Sequence, residues 1–202
     1  MASELDLGAR PAVASRRRAG SDWLARGGPI VLAIALVALA ARIAVPLPGT
    51  VVPITLQDLT VLAVGIVLGP RRGALAIASY VFLGAMGAPV FSGGRSGIAW
   101  LMGPTGGYLL AFPVSAAVVG WAARSRRMLP FVAGLAAAHL VTFTGGVLQL
   151  ALVTGTGVAA AVATGFLPFL PGIALKSALL IAFFAGWTRW RTTAASPPEA
   201  SR

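Results

Sequence analysis

Six stretches of this sequence run for 15 to 25 residues with at most one charged residue in each. They lie at roughly 29–46, 55–69, 73–90, 104–122, 129–153 and 167–188. The hydrocarbon core of a bilayer is about 30 Å thick, and an α-helix crosses it in about 20 apolar residues. In lipid every backbone N–H and C=O must be satisfied internally, so a continuous apolar run becomes a helix. A transmembrane barrel would instead alternate apolar and polar residues, and these runs do not. The expected fold is therefore an all-α integral membrane protein: a compact bundle of six transmembrane helices over 29–190. A basic tail at 1–28 and a short tail at 191–202 flank it. The second span is short, which suggests tilting, a partly re-entrant path or shielding by neighbours. Composition excludes the alternatives. Apolar residues make up 57% of the chain and charged residues 10%, against roughly 45–50% and 25% in soluble domains. Disorder needs the opposite balance.

The charges orient the bundle. Thirteen arginines fall in the two tails and in the 2–3 and 4–5 connections: Arg10, Arg16, Arg17, Arg18, Arg26, Arg71, Arg72, Arg124, Arg126, Arg127, Arg189, Arg191 and Arg202. The opposite loops hold Arg95 alone, while Arg42 and Lys176 lie within spans. Basic residues accumulate on the cytoplasmic side, so both termini are expected there. Dispersal among membrane-flanking loops sets aside nucleic-acid binding as the meaning of a net charge of +11. Arg16-Arg17-Arg18 ahead of an apolar run reads as a positive-inside tail rather than an export signal, because five further spans follow. With no cysteine and a single histidine, the chain lacks a metal-ligand set or a nucleophile–base pair. It reads as no enzyme, with no metal and no cofactor.

Polar residues inside spans are costly and mark cavities or partners. Lys176, the single lysine, lies too deep in span 6 to reach the cytoplasmic interface. Its compact ammonium, with three donors, suits a carboxylate or carbonyl ligand, or alternatively an ion pair with Asp58 that holds helices together. Asp58 could equally pair with Arg42 near the outer face. His139 reads as an interhelical hydrogen-bonding residue, and Gln149 faces a Gly/Thr-rich stretch. Pro168, Pro171 and Gly172 imply an irregular start to span 6, which proper begins near Pro171.

Three glycine- and proline-rich segments fall on the outer side: 45–57, 88–97 and 103–108. Glycine permits close backbone approach to a ligand, and ordinary tight turns would use it too. Gly103–Tyr108 lacks the Gly-Lys-Ser/Thr ending of a nucleotide loop.

Four of these passages share a wording. They are Val52-Pro53-Ile54-Thr55-Leu56-Gln57 with Leu68-Gly69-Pro70-Arg71-Arg72-Gly73-Ala74-Leu75; Gly87-Ala88-Pro89-Val90-Phe91-Ser92-Gly93-Gly94; Gly103-Pro104-Thr105-Gly106-Gly107-Tyr108-Leu109; and Leu167-Pro168-Phe169-Leu170-Pro171-Gly172 with Lys176. In this order, over roughly 30–188, they resemble the BioY family, the biotin-binding S components of energy-coupling-factor transporters. The resemblance implies six helices and an outward-facing biotin pocket closed by loops, in a bacterial cytoplasmic membrane. It implies a membrane coupling subunit and two ATPase subunits as partners. Lys176 would hold a polar end of biotin. Thr55 and Gln57 would hydrogen-bond it, Asp58, where the family more often has an uncharged residue, would add an acceptor, and Trp100 and Tyr108 would pack on its rings or anchor at the membrane interface. Gly93, Gly94, Gly106 and Gly107 would let loops close over it. Ala33, Val37 and Ala41, at i, i+4 and i+8, would form a small-residue face for docking the coupling subunit.

One departure stands out. The family pattern Pro-Gly-Asp-x-x-Lys has Ile173 at the place of the aspartate. The ureido ring of biotin needs an acceptor as well as donors, so Asp58, carbonyls near Gly93–Gly97 or Gln149 must supply it, or the ligand is a precursor or another vitamin. A solitary secondary transporter working without ATPases is the remaining alternative.

Overall fold

The computed structural model describes residues 27–193. The described residues are mostly helical, with one small β-pair. Helix α1 spans Gly27–Ala40. Strands β1 (Ala44–Val45) and β2 (Ile54–Thr55) pair antiparallel, Ala44 with Thr55 and Val45 with Ile54. Then follow α2 (Gln57–Ala85), α3 (Ile98–Leu101), α4 (Gly106–Ala123), α5 (Met128–Thr154), α6 (Val158–Gly165) and α7 (Leu170–Thr193). Among the described residues, four helical runs are long and apolar enough to cross a membrane: Gln57–Ala85, Gly106–Ala123, Met128–Thr154 and Val158–Arg189. The segments expected as tails, 1–28 and 191–202, lie almost wholly outside the described residues, and α7 continues past 190 to Thr193.

The long α2 is a hairpin. Gly69 has φ 78° and ψ 176°, a conformation open to glycine and closed to residues with a Cβ. Pro70, which has no N–H to donate, begins the return. Gln57 and Tyr80 would lie about 35 Å apart along a straight helix; instead their side chains are hydrogen-bonded. The turn falls where the apolar runs 55–69 and 73–90 were divided. The first arm packs against α4 through glycines. A Cβ on Gly65 would strike the carbonyl of Ala116, and one on Gly120 would come within 2.5 Å of the Gly65 carbonyl. Without a hydrophobic drive between helices in lipid, such close backbone approach supplies the packing.

Two segments expected as outer loops hold helical elements. Residues 154–166, expected as a loop, hold the short helix α6, which follows the left-handed Gly155 that ends α5. Residues 91–103 hold a 3-10 turn (Ser92–Gly94) and α3. The irregular start of span 6 is a 3-10 turn at Leu167–Phe169. A smaller apolar cluster, with Leu62, Val119, Leu135 and Leu180, ties α7 to the body. Within it the Phe131 and Phe184 rings stack 3.9 Å apart.

The docking stripe needs correcting. Ala33 and Val37 belong to the main core, and Ala33, Val37 and Ala41 are 4%, 0% and 0% exposed. They pack within this chain because their small side chains let α1 approach its own neighbours. The face that α1 turns outward carries Val31, Leu32, Leu36 and Leu39.

Candidate functional site

The start of the first α2 arm, the α3–α4 connection, and the facing sides of α4, α5 and α7 enclose a cavity. Its lining includes Thr55, Gln57, Asp58, Trp100, Tyr108 and Lys176. Val52 and Pro53, immediately before β2, also line it.

Lys176 anchors the polar side. Its Nζ donates to the Thr55 carbonyl at 2.6 Å and to Asp58 Oδ1 at 2.6 Å. The β-pair and the hairpin make this contact possible, since they bring residues 55 and 58 against a helix more than a hundred residues later. Among the described residues the third ammonium N–H and Asp58 Oδ2 make no hydrogen bond, and both residues line the cavity. Asp58 thus pairs with Lys176, and the alternative pairing with Arg42 is not formed. Arg42 Nη2 instead donates to the Pro89 carbonyl at 2.6 Å, because the loop 88–97 folds over the end of α1.

Gln57 is held by a relay. Its Nε2 donates to Tyr80 Oη at 2.8 Å, and Tyr80 Oη donates to the Val90 carbonyl at 2.8 Å. Tyr108 Oη donates to the Gly165 carbonyl at 2.7 Å, which fixes the end of α6. The ring of Phe143 meets Tyr108 and Phe166 edge-on, at centroid distances of 5.8 and 5.2 Å. Phe112, Phe143 and Phe169 give the wall further aromatic faces, beside Leu109 and Thr142. Trp100 is capped on one side by the Arg95 guanidinium, 4.4 Å from its ring.

Of the ten residues expected to bind substrate, Thr55, Gln57, Asp58, Trp100, Tyr108 and Lys176 meet at this cavity. The four glycines do not line it. Gly106 and Gly107 are buried in the first turn of α4, where a Cβ would strike the carbonyls of Leu101 and Gly145. Their role here is close packing. Gly93 and Gly94 take positive φ, 66° and 77°, in the loop beside Arg42. Gln149 lines a separate groove instead, its Nε2 donating to the carbonyls of Leu101 (2.6 Å) and Gly103 (2.8 Å). His139 Nε2 is 3.0 Å from Ser177 Oγ and bridges α5 to α7, as an interhelical residue should.

Sequence reasoning missed Thr105, Thr142 and the phenylalanines of the wall. Thr105 lies inside the quoted Gly103–Tyr108 segment, so its place was legible although its role was not. Thr142 and the phenylalanines carry no local signal in helices that are apolar all round.

A family model described as "BioY family" matches residues 24–193. The chain belongs to the BioY family. Its relatives include a probable biotin transporter from Pyrococcus horikoshii, 38% identical over 75% of this chain and 89% of that one. A biotin transporter from Lactococcus lactis subsp. cremoris is 38% identical over 77% and 85%. One from Thermotoga maritima is 39% identical over 67% and 79%. The fold is also similar to that of a solved S component for biotin from an ECF-type ABC transporter: TM-score 0.76, 21% identity, covering 85% of this chain and 93% of the other. In this BioY chain Ile173 packs against the main core and lines a separate apolar groove with His139 and Ser177. The carboxylate beside Lys176 comes from α2.

Proposed function

We propose that this chain captures biotin at the outer face of a bacterial cytoplasmic membrane, as the substrate-binding S component of an energy-coupling-factor transporter. The Lys176–Asp58 pair at the edge of an aromatic cavity carries the reading. A ureido ring presents one carbonyl and two N–H groups. The remaining ammonium N–H can donate to that carbonyl, and Asp58 Oδ2 can accept from a ring N–H. The pair thereby supplies the acceptor that Ile173 cannot. Aromatic walls suit the apolar edges of the bicyclic ring. Membership of the family, and the names of its biotin-transporting relatives, support this ligand.

The chain would cross the membrane six times with both termini in the cytoplasm. The two arms of α2 would count as separate crossings. The first arm, residues 57–68, rises about 18 Å at about 1.5 Å per residue. That is short of a bilayer core of about 30 Å. An arm rooted at the cytoplasmic hairpin tip would therefore place Asp58 below the outer boundary, leaving a recessed cavity open to the outside. Uphill import would draw energy from a coupling subunit and two ATPase subunits, with biotin bound non-covalently and no cofactor.

The test is equilibrium binding of biotin to the purified protein in detergent, wild type beside Lys176→Ala. Tight binding that is lost in the variant is the expected result. A folded wild type that binds no biotin would refute the ligand. Uptake that persists in cells lacking coupling subunits would refute the ATP-driven assignment.

A further inference from the structure

Most polar side chains at the cavity have committed their hydrogen bonds within the protein. Gln57 is held by Tyr80, Tyr108 by Gly165, and Thr142 by Ser115 at 2.7 Å. The Thr105 hydroxyl has made none. Its Oγ1 is fully buried and, among the described residues, is the one buried side-chain polar atom without a partner. It occupies the N-cap position of α4 but makes no capping bond, so the usual reason for a threonine there does not apply. Its segment is tied down as well. Gln149 holds the Leu101 and Gly103 carbonyls, and the Gly106 N–H donates to Gly103 O at 3.1 Å. Buried polar groups in folded proteins are nearly always satisfied. An orphaned hydroxyl in the lining of a binding cavity points to a partner that arrives with the ligand.

We propose that the Thr105 hydroxyl is a specificity-determining ligand contact, forming a hydrogen bond with a polar atom of the captured molecule. This rests on the biotin-capture reading above and adds a contact separate from Lys176 and Asp58. Gln149 acts as the positioning residue that holds the Thr105 segment in place.

The experiment compares Thr105→Val, Thr105→Ser, Lys176→Met and wild type in detergent, by biotin affinity and by melting temperature without ligand. Valine keeps the shape and removes the hydroxyl. Thr105→Val is expected to lower biotin affinity about 3- to 10-fold, the range for one neutral hydrogen bond. Thr105→Ser is expected to retain affinity within about twofold. Ligand-free Thr105→Val should melt no lower than wild type, because no internal bond is removed. Unchanged affinity in Thr105→Val beside weakened Lys176→Met overturns this inference and leaves the biotin reading standing. A ligand-free melting temperature lowered by several degrees would also overturn it, by showing a structural role. Absence of biotin binding in folded wild type overturns both.

Discussion

Replacing Lys176 by methionine separates two roles that the geometry combines. The stem volume is kept while two short charge-assisted bonds are lost, to the Thr55 carbonyl and to Asp58 Oδ1, both at 2.6 Å. Asp58 is left as a carboxylate whose side chain is 16% exposed. Removing one partner of a buried ion pair costs about 3–5 kcal/mol. Residual exposure of Asp58 places the expected loss in stability near the lower end, about 3 kcal/mol. Asp58→Asn with Lys176→Met removes both charges, so the double variant should lose less than the sum of the single losses, with a coupling of about 1–3 kcal/mol. The remaining ammonium N–H would serve biotin, and a hydrogen bond to a charged group is worth about 1.5–3 kcal/mol. That corresponds to about 10- to 150-fold in affinity. Thermal unfolding and equilibrium biotin binding on the four proteins of the cycle measure both quantities. Coupled stabilities with an affinity within about threefold of wild type would make the pair purely structural and refute the ligand role. Additive stabilities would refute the pair itself.

The remaining predictions concern the frame around the site. Tyr80→Phe breaks the relay from Gln57 to the Val90 carbonyl and should cost about 1–3 kcal/mol in thermal unfolding, with weaker biotin binding as Gln57 loosens. Gly69→Ala forces a Cβ into the hairpin tip at φ 78° and should destabilise by about 1–3 kcal/mol without changing affinity in protein that folds. Gly120→Val places side-chain atoms against the Gly65 carbonyl, and a drop of about 1–3 kcal/mol or more is expected from overpacking. A carboxy-terminal reporter fusion should be active on the cytoplasmic side; activity on the outer side would refute the six-crossing topology.

Much of the frame was legible because the signals behind it are local. The lengths of the apolar runs set where α4 and α5 begin and end, within a residue or two. Arg71 and Arg72 divided the second apolar run from the third, and the structure makes that division a hairpin at Gly69-Pro70. Lys176 stood out as a charge too deep to reach the cytoplasmic interface, and it lies at the cavity. The small β-pair and α6 were not legible, since two-residue strands and one eight-residue helix carry too little pattern.

What the sequence determined alone is the solvent each segment prefers and the points where the chain must turn. Transfer of an apolar run into lipid is a property of that run, and a glycine or proline acts on its own backbone. The facing of each helix came only with the tertiary structure. Lipid is as apolar as a protein core, so a helix apolar on every side does not announce which side turns inward. Ala33, Val37 and Ala41 could be read as an outer docking face, yet close packing places them inside. The same holds for partners. Asp58 had two cations to choose from, and the hairpin and α7 brought Lys176 to it while the loop carbonyl of Pro89 took Arg42. Hydrogen bonds and ion pairs are decided over a few ångströms, and here those ångströms are set by glycine contacts between helices far apart in the chain.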